Sequence, residues 1–226
     1  MEYLFDTANI ESIKKYSEIF PITGITSNPS IIKLEGKIDF FQHFREIRQI
    51  IGMDKTLHIQ VLAEDAEGMI AEANAILANV DDKVFIKIPT TPQGLKAMRL
   101  LKAKGVGITA TAIYTKMQGL LAMEAGADFI APYFNRMQNL DINPCEVITT
   151  FAQMIAEYHY STKILAASFK NMGQVNTAFE YGAQAATLSP DLLVDAFKMP
   201  SIQKAVDDFA ADWEKIFGKV SIADLK

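Results

Sequence analysis

Short runs of apolar, β-branched and aromatic residues recur along the chain, and between them lie longer stretches whose apolar positions repeat every three or four residues. Eight runs stand out: Tyr3–Thr7 (YLFDT), Gly24–Pro29 (GITSNP), Leu57–Leu62 (LHIQVL), Val84–Pro89 (VFIKIP), Gly107–Tyr114 (GITATAIY), Phe129–Phe134 (FIAPYF), Lys163–Ser168 (KILAAS) and Ala185–Pro190 (AATLSP). Runs of this length and composition predict strands. They start about 20 to 35 residues apart, the length of one strand with its following helix. Strand then helix, eight times, predicts an α/β protein, a (β/α)8 TIM barrel.

The intervening stretches carry helical patterns. In Glu64–Val80 the apolar residues Met69, Ala73, Ile76, Leu77 and Val80 share one face, and acids lead the first turn. Thr91–Gly105 sets Leu95, Met98, Leu101 and Lys102 in register, ends on lysines and stops at a glycine. After the eighth run the rhythm changes to two helices, Leu192–Pro200 and Ser201–Gly218, the second starting at Ser201 after Pro200. Its residues Ile202, Val206, Phe209, Trp213, Ile216 and Phe217 form a broad apolar stripe that needs a cover, either the chain's own barrel or a neighbouring subunit. Eight strand–helix units consume about the first 190 of 226 residues, and the remainder is too short for a second domain. Residues 1–226 therefore read as a single barrel domain, with an extra C-terminal helix at 201–218.

Composition removes several function classes. Half the residues are hydrophobic, so the chain can bury a core. With 22 Lys+Arg against 27 Asp+Glu, a formal charge of −5, and no basic block, it lacks the clustered cations that nucleic-acid binding requires. No apolar run approaches the roughly 20 residues of a membrane span. The start, MEYLFDTANI, lacks the basic-then-apolar layout of a signal peptide, so a cytoplasmic location is expected. Cys145 is the one cysteine, and His43, His58 and His159 are scattered without metal-ligand spacing; neither metal nor disulfide is expected.

Strand alternation then points to chemistry. In VFIKIP, Val84, Ile86 and Ile88 share one face and Phe85 and Lys87 the other, which directs Lys87 into the barrel. A lysine enclosed there loses hydration, and its pKa falls towards the range where the neutral amine can attack a carbonyl as a Schiff-base nucleophile. The competing accounts are a structural lysine paired with a carboxylate and a surface lysine on a misread strand. Asp6, Thr26, Asn28, Gln60, Thr111, Tyr133 and Ser168 fall near the C-terminal ends of the other strands, the face on which barrel enzymes build their sites. Individually, Asp6 and Asn28 also suit the capping of the next helix or turn, and Thr111 is an ordinary strand residue. Converging on one lysine, these groups could move protons through carbinolamine formation, dehydration and carbon–carbon cleavage, an aldolase-type reaction. Arg136 and Lys170, just past the sixth and seventh strands, would put two cations on one rim, with Ser168 as a hydroxyl donor, which suits a phosphorylated sugar.

The segments DTAN, GITSNPSII, QVLAEDAEGM, IKIP, TATAIYTKMQGLLAMEAGADFIAPYFNRM and ILAASFKN resemble, in this order, the transaldolase family. The chain looks like its short subgroup, which includes fructose-6-phosphate aldolase, and the resemblance covers essentially all of it. It implies Lys87 as the Schiff-base lysine, Asp6 as a proton-transfer residue, Thr26 and Asn28 as contacts to the dihydroxyacetone portion, and Arg136 with Ser168 as phosphate contacts. It also implies no metal or organic cofactor. By the same resemblance the protein is a homo-oligomer, a decamer of two pentamers, with terminal helices reaching over neighbouring subunits.

Transaldolases proper have glutamate where Gln60 stands, phenylalanine where Tyr133 stands, and arginine where Lys170 stands. A glutamate can act as acid and base through a bound water, whereas a glutamine can only position it, so Tyr133 with Thr111 would supply the proton-transferring group. The expectation is a lyase that reversibly cleaves fructose 6-phosphate to dihydroxyacetone and glyceraldehyde 3-phosphate. The alternative is a transaldolase moving the dihydroxyacetone unit between sugar phosphates, such as sedoheptulose 7-phosphate and glyceraldehyde 3-phosphate, in the pentose phosphate pathway. A barrel that only binds sugar phosphates is a third.

Overall fold

The computed structural model describes residues 1–225. Eight parallel strands close into a barrel: β1 (Glu2–Asp6), β2 (Gly24–Thr26), β3 (Thr56–Gln60), β4 (Phe85–Pro89), β5 (Ile108–Ile113), β6 (Phe129–Pro132), β7 (Lys163–Ala166) and β8 (Ala185–Leu188). Each pairs with the next, and β8 returns to β1 with Glu2 opposite Ala185 and Leu4 opposite Thr187. Between the strands lie α1 (Ile10–Ser17), α2 (Pro29–Ile32), α3 (Phe40–Ile51), α4 (Ala66–Asn79), α5 (Pro92–Lys102), α6 (Lys116–Glu124), α7 (Phe134–Asn139), α8 (Pro144–Tyr158) and α9 (Met172–Glu180); α10 (Pro190–Ala196) and α11 (Pro200–Phe217) come after β8. This is the (β/α)8 TIM barrel that the hydrophobic rhythm predicts, with its extra C-terminal helix. Met1–Pro190 forms one compact unit, and the chain from Asp191 onward forms another.

The predicted strands overrun at their C-terminal ends because the chain turns there into helices. Pro29 and Pro190 occupy first-turn positions, where the missing N–H costs nothing, and Phe134 opens α7. The same property of proline moves the last helix: it begins at Pro200 rather than Ser201, with Met199 before it, and the preceding one begins at Pro190 rather than Leu192. On α4 the buried face is Ala66, Met69, Ala73 and Ile76, while Leu77 and Val80 are half-buried. On α5 it is Gly94, Ala97, Met98 and Leu101; Lys102 leaves the stripe to pair with Asp128 at 2.5 Å.

Alternation along the strands builds two cores. Outward-facing Phe5, Ile25, Leu57, Ile59, Ile86 and Ile88 are fully buried under the helical layer, as are Phe44 and Ile47 of α3 and Phe151 of α8. Burial of each such side chain stabilises by about 1.5–3 kcal/mol. Inside the barrel, Leu4, Phe129, Leu165 and Ala185 cluster with Phe85. His58 stacks on Phe85 with ring centroids 5.0 Å apart, and it hydrogen-bonds Thr109 at 2.8 Å and Thr56 at 2.9 Å. This plug fills the lower half of the barrel and leaves its C-terminal half for polar groups.

In the C-terminal unit, Trp213 stacks on Phe217 at 4.3 Å, and its indole N–H donates to the Val220 carbonyl at 2.8 Å. The α11 residues Ile202, Val206, Phe209 and Ile216 are exposed. Among the described residues no helix is long and apolar enough to cross a membrane.

Helix α5 must approach β4 closely. A Cβ at Gly94 would lie 1.9 Å from the Pro89 carbonyl oxygen, a backbone atom at the end of β4. Alanine is a better helix former by about 1 kcal/mol, but the clash forces helix and strand apart. Gly94→Ala is expected to destabilise the fold by about 1–3 kcal/mol, read as a lower urea midpoint with an unchanged slope.

Candidate active site

Lys87 lies on the inward phase of β4, opposite Gln60 of β3 in the ladder, and is 5% exposed. Its Nζ donates to the Ser27 carbonyl at 2.8 Å, and among the described residues no carboxylate stands within ion-pair range of it. The structural-lysine account required such a partner. Burial pushes the Lys87 ammonium below the usual lysine range, opposed only in part by the charge of Asp6. The amine borders a cavity of about 570 Å³ at the C-terminal mouth of the barrel.

Asp6, at the end of β1, lines the same cavity. It caps no helix; that task falls to Asn9, whose side chain accepts from the Ser12 N–H at 2.9 Å. The carboxylate is held from one side, with Thr26 Oγ1 2.7 Å from Asp6 Oδ1 and 2.6 Å from Thr187 Oγ1. Thr26 is fully buried and does not line the cavity, whereas Thr187 of β8 does.

Opposite stands the Tyr133 hydroxyl, 2.9 Å from Thr111 Oγ1. Burial pushes the phenol up, with the Thr111 hydrogen bond and the charge of Arg136 opposing, so it carries its proton at neutral pH. Thr111 is fully buried and meets the site through its hydrogen bond to Tyr133 rather than by lining the cavity. A break in the β5–β6 register between Ala110 and Ile113 turns the strand here, with Ala112 at φ 57°. Ser168, just past β7, is likewise held at φ 64°. Both residues line the cavity, so two of the chain's non-glycine left-handed positions sit where side chains are aimed at the site. Gln60 lines the cavity too, and its Oε1 is buried without a protein donor, an acceptor still free to hold a hydroxyl or water.

The rim is cationic. Arg136, Lys170 and Ser168 line the mouth, with Arg136 and Lys170 exposed. Arg136 lies over the Tyr133 ring at 4.9 Å and donates to the Tyr114 hydroxyl at 3.3 Å, a bond that favours its charged form. Gln174 ties this side together, accepting from the Lys170 backbone N–H at 2.7 Å and donating to Asn135 and Gln138. Asn28 serves two ends: its Oδ1 caps α2 through Ser30 and Ile31, while the residue borders the cavity.

The structure thus brings Lys87, Asp6, Gln60, Tyr133, Asn28, Arg136, Ser168 and Lys170 around one cavity and sets Thr26 and Thr111 one layer behind. Sequence reasoning passed over Thr187, although it is the inward polar residue of an apolar strand, the signal that singled out Lys87. It also missed the Ser27 carbonyl, which no side-chain pattern can reveal, and His58. Burial, then the cations Lys87 and Arg48, hold that imidazole well below its usual pKa and hence neutral.

A closed parallel barrel with an unpaired, desolvated lysine at its C-terminal mouth, ringed by a carboxylate, a phenol and a cationic rim, defines an enzyme of the aldolase and transaldolase kind. The chain belongs to the transaldolase/fructose-6-phosphate aldolase family, whose model matches residues 3–220. It is 52% identical over 222 residues to a protein of Streptococcus pneumoniae (strain ATCC 700669 / Spain 23F-1) described as a probable fructose-6-phosphate aldolase, covering 98% of this chain and 100% of that one.

The buried amine makes stability depend on pH. Its pKa is lower in the folded chain than in the unfolded one, so between those two values the unfolded state binds more protons and stability rises with pH. Lys87→Met, which removes the charge, is expected to raise Tm relative to the wild type most below the folded pKa. The gain should fade as pH approaches about 10.4, the unfolded lysine value. A difference in Tm that stays constant between neutral pH and that value would contradict burial of a titrating amine.

Proposed function

We propose that this chain is a Schiff-base aldolase that reversibly cleaves fructose 6-phosphate to dihydroxyacetone and glyceraldehyde 3-phosphate. The observation that carries the reading is Lys87, a buried amine without a carboxylate partner in the cavity wall. Neutral Lys87 Nζ attacks the ketose carbonyl carbon, and the carbonyl oxygen takes a proton from the Tyr133 side to give a carbinolamine. Loss of that oxygen as water forms the iminium. Asp6 then accepts the proton of the hydroxyl on the scissile bond's far carbon, the carbon that becomes the aldehyde. The bond breaks with its electron pair flowing into the iminium, and the aldehyde departs with the phosphate. Reprotonation of the resulting enamine and addition of water release dihydroxyacetone and restore the amine. Lys87 supplies the covalent electron sink, so the route uses neither metal nor organic cofactor.

Gln60 and Tyr133 support cleavage over transfer. Glutamine cannot exchange a proton with the water it holds, whereas the protonated phenol backed by Thr111 can, which favours hydrolytic release of the three-carbon unit. Asn28 suits the hydroxyls of that unit. Arg136, Ser168 and Lys170 suit the phosphate, since an enzyme of net charge −5 needs local cations to hold an anionic sugar.

Incubation with fructose 6-phosphate and borohydride is expected to label the wild type at Lys87 and to leave Lys87→Ala unlabelled. With fructose 6-phosphate alone, free dihydroxyacetone should accumulate. Its absence, with transfer to added erythrose 4-phosphate, would make the protein a transaldolase. Absence of both products and label would leave a sugar-phosphate-binding barrel. Combining Gln60→Glu with Tyr133→Phe should shift the balance from cleavage towards transfer.

Assembly into a decamer of two pentamers, with α11 covered by a neighbouring subunit, belongs to the same proposal; its support is the exposed apolar stripe of that helix. A chain ending at Pro200 is expected to give a much smaller species by light scattering. Retention of the decamer would overturn this role of α11.

A further inference from the structure

We propose that Thr187 is a positioning residue for Asp6, acting through Thr26. This inference rests on the aldolase reading above and adds to it the device that decides which Asp6 oxygen works. Thr26 Oγ1 lies 2.7 Å from Asp6 Oδ1 and 2.6 Å from Thr187 Oγ1, and Thr26 and Thr187 are almost wholly buried. A hydroxyl has one proton, and an ionised carboxylate can only accept. The Thr26 proton therefore goes to Asp6 Oδ1, and the 2.6 Å contact is left for Thr187 to fill as donor. Both rotors are fixed by this count: Thr187 donates to Thr26, and Thr26 donates to Asp6.

The consequence lies at the carboxylate. Asp6 Oδ1 is engaged, while Oδ2 accepts from no described protein group although Asp6 lines the cavity. Oδ2 is thus the oxygen left to take the substrate proton. Without the Thr187 hydroxyl, Thr26 Oγ1 becomes a buried oxygen lacking its donor. Its side chain is then free to turn towards another donor, and Asp6 loses the contact that separates its two oxygens. Because Thr187 acts through Thr26, its removal should affect the proton-transfer step more than ketose binding. The three residues come from β1, β2 and β8, so the device exists only because β8 closes on β1.

The test is steady-state cleavage of fructose 6-phosphate by full-length Thr187→Val, Thr187→Ser, Thr26→Val and the double valine variant, with urea unfolding of each. Thr187→Val is expected to lower kcat by about ten- to a hundredfold with KM little changed, and Thr187→Ser to recover most of that loss. In the Thr26→Val background, Thr187→Val should add nothing further. Unchanged kcat in Thr187→Val would overturn the proposal, as would a rise in KM alone, which marks a substrate contact. Equal losses in the valine and serine variants that track a fall in stability would also overturn it, since they mark packing of the methyl group. Borohydride labelling separates the two levels of inference. If the wild type labels at Lys87 while Thr187→Val turns over normally, only the role of Thr187 fails; if the wild type does not label, the aldolase reading itself fails.

Discussion

A lysine ammonium placed inside a closed barrel, with no carboxylate in ion-pair range among the described residues, is the constraint around which this molecule is arranged. Removing such an ion from water is unfavourable by several kcal/mol, and an ion pair could offset that only by fixing the charge. Here the offset is different: Lys87 donates to the Ser27 carbonyl, a dipole without net charge, and its proton is made easy to lose. The strand beneath cannot relax to rehydrate the amine, because β4 is paired on both sides and the plug of Phe85, His58 and Phe129 fills the space below. A neutral His58 in that plug avoids adding a second cation under the first.

The polar residues at the strand ends divide their labour. Asn9, Asp39, Asp65, Thr91, Thr115, Asn143 and Asn171 satisfy first-turn N–H groups of α1, α3, α4, α5, α6, α8 and α9, and the capping box of Thr115 with Gln118 opens α6. These caps leave Asp6 and Gln60 to face the cavity, and Tyr133, at the N-cap position of α7, makes no side-chain cap bond and faces it too. Asn28 does both, which its amide permits because oxygen and nitrogen act separately. Left-handed backbone at Ala112 and Ser168 is the local cost of aiming side chains from the ends of β5 and β7, and their carbonyls are held by the Gln118 side-chain amide at 3.3 Å and the Asn135 backbone N–H at 3.0 Å.

Much of this was legible in the chain. Eight strands emerge from eight apolar runs, because alternate burial on two faces of a barrel strand leaves a local signature. Lys87 emerges from the phase of VFIKIP alone. The same phase marks Thr187, the hydroxyl on the inward face of the eighth run. Whether Asp6 capped a helix or faced a substrate was open, since an aspartate one residue from a turn has the same local pattern in either role. The helix starts at Pro190 and Pro200 were displaced for a simpler reason: proline's missing N–H fits the first turn, so it opens a helix where a pattern of apolar residues alone suggests a later start.

The sequence by itself determined the order of strands and helices, the inward phase of the lysine and the types of group able to surround it, because these depend on neighbouring residues and on burial averaged over a face. Only the tertiary structure decided which groups meet. The Ser27 carbonyl against Lys87 spans 60 positions, and the Thr26–Thr187 contact spans 161. Both arise from closure of the sheet, where pairing register brings distant residues within hydrogen-bonding distance, and no local pattern of hydrophobic and polar positions encodes that register.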